Sequence, residues 1–331
     1  MTPSTQPSGR PPFAGLIPPV CTPLQVDGSV DSRSLARLLE HLLEAGVDGV
    51  FVLGSSGEAA YLDDRASRAV VDVARATVGG QVPLLVGALD TTAPRVLDRI
   101  TQLGDAGVDA FVVTGPFYAN TSATETAEHF RAIAAGCERP VIAYDIPGNV
   151  GRRLDRANMV DLLVGGVLAG LKDSSGTLDA LRRIIDVVGE PRTVTLMTGV
   201  DALADLALGI GADGLIPGLA NIRPGYFRQI MDAHAAGDAP RMHAYQRAVT
   251  ELTDVFGLGE KYGVGRHASE LGALKHVLLA DGVIASAALS CPMSPYPEPA
   301  RTELLDLVAD IDARLARRLE SVSVPDTLNQ L

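Results

Sequence analysis

Three segments of the chain repeat one local pattern: GVDGVFVLG at 46–54, GVDAFVVTG at 107–115 and GADGLIPG at 211–218. Each starts with a glycine of the kind that ends a helix, turns through an aspartate, and runs into apolar residues. Such a passage carries a helix into a buried strand, and its repetition makes the chain an alternation of helices and strands. VPLLVGA (82–88), PVIAYD (140–145), VLAGLKD (167–173) and VTLMTG (194–199) are strand segments of the same kind. With GLIPPVCTP (15–23) as the first, the strands number eight, separated by amphipathic stretches such as SLARLLEHLLEAG and APRVLDRITQLGDAG.

The strands are apolar nearly throughout, as parallel strands covered on both faces are. Eight uninterrupted βα units favour closure, so the expected class is α/β: a (β/α)8 TIM barrel rather than an open doubly wound sheet. Strand signals stop beyond residue 237, where ASELGALKHVLLADG and EPARTELLDLVADIDARLARRLE read as a C-terminal helical extension. The expected organisation is a polar, proline-rich disordered leader at 1–12, a catalytic barrel at 13–237, a helical region at 238–320 and a flexible tail at 321–331. Gly209, Gly211 and Gly214 spell GxGxxG, but they end a helix and enter a strand. That reverses the order a dinucleotide fingerprint needs, so no cofactor is expected.

Composition narrows the partners. A hydrophobic content of 47% over 331 residues supports a large core, and a formal net charge of −12 disfavours nucleic acid and anionic membranes. A small molecule is the better ligand. The three cysteines are far apart without CxxC spacing, and read as buried or inert thiols in a reducing compartment. The six histidines form no HxH or HxxxH pair, so no metal is expected. With neither a signal-peptide pattern nor an apolar run of about 18 residues, the reading is a cytoplasmic protein with no membrane partner.

In a (β/α)8 barrel the working side chains sit at the C-terminal ends of the strands. The second strand ends in Gly54-Ser55-Ser56-Gly57-Glu58, the fourth runs into Gly115-Pro116-Phe117-Tyr118, the fifth ends in Tyr144-Asp145 and the sixth in Lys172-Asp173. Only three of the 28 basic residues are lysines, namely Lys172, Lys261 and Lys275. A neutral lysine amine attacks a carbonyl to form an imine, and burial disfavours the charged form; arginine stays protonated and cannot do this. The bland alternative is a strand-end lysine that reaches solvent or pairs with Asp173. Tyr144 ends the adjacent strand, where a phenol can move the protons that imine formation requires, or can simply pack its ring. The turn at Ser55-Ser56-Gly57 offers hydroxyls and N–H groups of the kind that hold a carboxylate, although alone it would read as an ordinary turn or an N-cap.

GSSGEA, VVTGPFYAN, VIAYDIPG and GLKDSSG follow one another in the order and approximate spacing of the dihydrodipicolinate synthase and N-acetylneuraminate lyase family. The chain resembles these class I pyruvate-type lyases over roughly residues 13–310, and Tyr144 and Lys172 stand 28 residues apart. The resemblance implies a barrel with a C-terminal helical region, a homo-oligomer (dimer or tetramer), and no metal or organic cofactor. It assigns the imine to Lys172 and general acid/base work to Tyr144. Ser55 stands where the family usually has a threonine that relays the proton, and Tyr118 matches a tyrosine that reaches in from a neighbouring subunit. Ser56 and the Gly57 backbone would hold the pyruvyl carboxylate, and the Ile216 carbonyl would lie near the lysine.

Two positions depart from the pattern. Asn149 replaces the synthases' arginine, and an amide cannot give the charge-assisted pairing that a semialdehyde carboxylate receives there; Arg152 and Arg153 are nearby substitutes. Asp201 is followed by Ala202, which is half of the acidic pair of the sialic-acid lyases. The expected activity is therefore a Schiff-base lyase acting on a 2-oxo acid substrate, either pyruvate or a 4-hydroxy-2-oxo acid such as a 2-keto-3-deoxy sugar acid. Dihydrodipicolinate synthesis from pyruvate and aspartate semialdehyde is the second reading, and a catalytically silent sugar-acid-binding barrel the third.

Overall fold

Helices begin where the sequence provides caps. In the computed structural model, which describes residues 11–322, Asp31, Asp63 and Asp155 each accept a backbone N–H three residues on, and Ser122 forms a capping box with Glu125. The leader up to residue 10 and the tail from residue 323 lie outside the described residues.

The strands are β1 (Gly15–Leu16), β2 (Val50–Val52), β3 (Leu84–Gly87), β4 (Ala110–Thr114), β5 (Val141–Asp145), β6 (Gly170–Asp173), β7 (Thr195–Thr198) and β8 (Gly214–Leu215). All pair in parallel in the order β1-β8-β7-β6-β5-β4-β3-β2. The ring closes between its two ends, where Val20 N donates to Phe51 O at 2.8 Å and Phe51 N to Pro18 O at 3.0 Å. The result is a (β/α)8 barrel. Its helices are α1 (Ser32–Glu44), α2 (Asp64–Val78), α3 (Ala93–Leu103), α4 (Ala123–Gly136), the short α5 (Pro147–Val150), α6 (Arg156–Val164), α7 (Leu178–Val188), α8 (Ala204–Gly209) and α9 (Pro224–Ala236). Beyond them, α10 (Ala239–Leu252), α11 (Arg266–Ala280) and α12 (Glu298–Val322) follow without a further strand among the described residues.

The repeated aspartates have a structural job. Asp48, Asp109 and Asp213 stand just before β2, β4 and β8, and each carboxylate accepts a backbone N–H of the preceding strand, from Leu16, Leu84 and Leu196, all at 2.8 Å. A charge-assisted bond at each αβ turn thus sets the register of a strand pair.

Alternation along the strands divides the core in two. Ile17, Phe51, Leu85, Val112, Ile142, Tyr144, Met197 and Ile216 fill the barrel interior, while Val50, Val52, Phe111, Val113, Leu171 and Leu196 belong to the larger layer beneath the helices. Cys21 is buried and its thiol is pushed up to about 12, chiefly by burial, which disfavours the reactive thiolate. Cys291, by contrast, is exposed, because it lies in the irregular segment between α11 and α12.

Candidate active site

Lys172 and Tyr144 are register partners on β6 and β5, and Thr114 is the partner of Tyr144 on β4. Partners in a parallel sheet share a face, so all three point into the barrel at its C-terminal mouth. Lys172 and Tyr144 are each 3% exposed. The Lys172 Nζ stands 3.9 Å from the centre of the Tyr144 ring and 5.0 Å from that of Phe51. Among the described residues the Lys172 ammonium takes part in no ion pair. Asp173 points to the other face of the sheet and accepts the Ser175 N–H at 2.7 Å, so it is not the lysine's partner.

Glycine makes room for the amine. A Cβ on Gly199, just past β7, would lie 2.9 Å from Lys172 Cε, 2.2 Å from Ser174 Oγ and 3.5 Å from Ile216 O. The Ile216 carbonyl and the lysine therefore flank the same point, as do the Ser174 hydroxyl and that carbonyl. Asp201 lies beyond, accepting the Leu219 N–H at 2.8 Å. Burial raises its carboxyl to about 6, against the pull of backbone N–H donors and the Lys172 charge. A Cβ on Gly218 would stand 3.9 Å from both Asp201 Oδ2 and Ser56 Oγ, so these two polar groups converge across a glycine.

Ser55, Ser56 and Gly57 form a tight turn after β2, in which Gly57 N donates to Gly54 O at 3.1 Å and Glu58 N to Ser55 O at 3.1 Å. Among the described residues, the non-glycine residues with positive φ, Leu53, Glu58 and Tyr118, all lie in the segments that follow β2 and β4. Left-handed backbone outside glycine is costly, and it is concentrated at the mouth where the working side chains are expected from the sequence.

A cavity of about 310 Å³ opens on the β2 to β5 side of the mouth, lined by Ser55, Thr114, Ile146 and Asn149, with Asp90, Arg99 and His267 farther out. Asn149 comes from α5, a turn of helix that the sequence reading had not foreseen. Arg152 donates to Ala119 O at 3.2 Å and Arg153 pairs with Asp145 at 3.5 Å, so both candidate substitutes for the missing arginine are engaged elsewhere. Burial raises the Asp145 carboxyl, while the Leu154 N–H and Arg153 pull it back. Tyr118 is not in the site of its own chain: it is fully exposed, held outward by φ of 72°.

Sequence reasoning missed Thr114, Ser174 and Gly199. Thr114 is 3% exposed and its hydroxyl has no hydrogen-bond partner, while its carbonyl accepts from Nε2 of His129, a buried imidazole whose pKa burial lowers. The signal for Thr114 and Ser174 was their place at the ends of strands four and six; Gly199 carried no signal apart from packing. Among the described residues no group of three His, Cys, Asp or Glu side chains could hold a metal ion, and no helix is long and apolar enough to cross a membrane.

The family model described as the dihydrodipicolinate synthetase family matches residues 12–311. An uncharacterized DapA-like lyase of Halobacterium salinarum is 32% identical over 273 residues, 80% of this chain and 88% of that protein. A 4-hydroxy-tetrahydrodipicolinate synthase of Pelobacter propionicus is 28% identical over 70% of this chain and 80% of its own length. YagE of Escherichia coli, provisionally assigned as a 2-dehydro-3-deoxy-D-gluconate aldolase, is 28% identical over 90% of this chain and 97% of its own. The crystal structure of YagE in complex with pyruvate superposes with a TM-score of 0.83, covering 91% of this chain and 99% of that one.

Proposed function

The chain belongs to the dihydrodipicolinate synthetase family, and from that premise we propose that it is a class I lyase acting through an imine on Lys172. The observation that carries the reading is a buried amine without an ion pair, in register with Tyr144 at the mouth of the barrel. The substrate is a 4-hydroxy-2-oxo acid of the 2-keto-3-deoxy sugar acid kind.

Lys172 attacks C2 of the oxo acid, and loss of water from the carbinolamine gives a protonated imine. Tyr144 takes the proton of the C4 hydroxyl. The C3–C4 bond then breaks, its electron pair flows into the iminium, and an aldehyde leaves behind an enamine. Protonation at C3 and hydrolysis release pyruvate and restore the lysine. The hydroxyl and backbone N–H of Ser56 receive the carboxylate, in the turn that the Gly57 N–H closes onto Gly54 O, while Ser55 passes the proton onward and Asp201 lies within electrostatic reach of the imine nitrogen. The exposed Tyr118 supports a homo-oligomer in which the tyrosine completes the relay of a neighbour, in a protein working in the cytoplasm.

Asn149 on the cavity wall, with Arg152 and Arg153 committed elsewhere and Arg99 paired with Asp64 at 3.8 Å, supports an uncharged hydroxyaldehyde as the partner of pyruvate over aspartate semialdehyde. Borohydride reduction in the presence of pyruvate, followed by peptide mass spectrometry, tests the imine: an adduct on Lys172 is expected, and its absence sinks the mechanism. Comparing short neutral hydroxyaldehydes with aspartate semialdehyde as acceptors tests the substrate, and preference for the semialdehyde overturns that part.

A further inference from the structure

Glu58 ends the turn that bears Ser55, Ser56 and Gly57, and it is wholly buried. Its φ of 58° is one that glycine adopts freely and glutamate does not, so contacts from outside the turn must hold it there. They come from the C-terminal extension. The Lys275 ammonium on α11 binds one carboxylate oxygen, and the Ser290 N–H donates to the other at 2.8 Å. Lys275, itself fully buried, also donates to Ala288 O at 2.7 Å. From the barrel side, the buried Thr22 hydroxyl donates to Gly57 O at 2.8 Å. A Cβ on Gly57 would meet Leu53 N at 2.9 Å and Val20 O at 3.1 Å, so the turn packs closely against backbone and admits no side chain there.

We infer that Glu58, Lys275 and Thr22 are positioning residues that preset the turn bearing Ser56 for the carboxylate of pyruvate. The inference rests on the reading that this turn receives that carboxylate. Backbone donors bind an anion well only when their direction is fixed before it arrives, since otherwise binding bears the cost of ordering the loop. Here one end of the turn is gripped through Glu58 by residues more than 200 positions away, and its last peptide carbonyl before Glu58 is held by Thr22. The helical extension is thereby part of the binding site, although it contributes no group that touches substrate.

The test uses Thr22→Val, which removes one neutral hydrogen bond, and the paired Glu58→Gln with Lys275→Met, which leaves no unmatched charge. Both are compared with the wild-type protein at a temperature where circular dichroism finds all three folded; Thr22→Val carries the test if the pair does not fold. The readout is the pyruvate concentration giving half-maximal borohydride-trapped adduct. A rise of about tenfold is expected, with the maximal adduct level kept and the KM for the aldehyde unchanged. Half-saturation at the wild-type concentration in a folded variant overturns the inference. A wild-type protein that forms no adduct at all overturns the imine reading, and this inference with it.

Discussion

The Lys172 ammonium lies over the face of the Tyr144 ring, 3.9 Å from its centre, and no hydrogen bond joins the amine to the phenol. The ring face attracts the cation and holds the long side chain across the mouth. The hydroxyl is not tied to the amine, and in the proposed mechanism it meets the oxygen of the substrate. The proposed mechanism thus uses separate parts of one tyrosine, the ring to hold the amine and the hydroxyl to move the proton.

Tyr144→Phe separates those parts. The ring stays over the amine, and the proton carrier is lost. The pyruvate adduct on Lys172 is expected at equilibrium, while kcat for cleavage falls by about 10²- to 10⁴-fold. An unchanged kcat in steady-state assays would show that the phenol moves no proton.

Gly199→Ala puts a methyl group within 2.9 Å of Lys172 Cε and 2.2 Å of Ser174 Oγ. The lysine must leave its position over Tyr144, and kcat/KM is expected to fall by about a hundredfold while the barrel still folds, since near-attack geometry is sensitive to displacements of this size. Wild-type kinetics in a folded variant would mean that the amine is not held where it reacts.

The two buried lysines predict unequal stability effects. Lys275→Met strands the Glu58 carboxylate in a site without solvent and is expected to cost about 3–5 kcal/mol in urea unfolding. Lys172→Met removes an amine with no ion pair and replaces it with an apolar chain of similar length, so a change within about 1 kcal/mol is expected, with all activity lost. Equal destabilisation by the two changes contradicts the assignment.

Asp201 sets a pH dependence. Its folded pKa of about 6 lies above the ordinary 3.8, so between roughly pH 4 and 6 the folded protein holds a proton that the unfolded chain has released. Its contribution to stability therefore falls as pH rises through that window, by about 3 kcal/mol in all, and levels off above it. Asp201→Asn is expected to remove this slope, so the wild-type protein loses more stability than the variant between pH 4.5 and 7. Parallel urea midpoints at the two pH values would count against a buried, strained carboxyl.

The sequence by itself determined the alternation that closes into a barrel, because the GVDG-type turns and apolar strands are local patterns that each segment carries alone. It also put Tyr144 and Lys172 at strand ends, since strand length and the period of two decide which residues reach the mouth. What it left open was settled by contacts between residues far apart in the chain. Lys172 and Lys275 both end up buried, and nothing adjacent to either one predicts that Lys275 meets Glu58, 217 positions away, while Lys172 lies over two aromatic rings with no ion pair among the described residues. Likewise the exposure of Tyr118 and the engagement of Arg152 and Arg153 follow from how the loops fold over the barrel. Which buried lysine has a charged partner and which is left free to react was decided by the tertiary structure, because a charge is neutralised by whatever packing brings within a few ångströms of it.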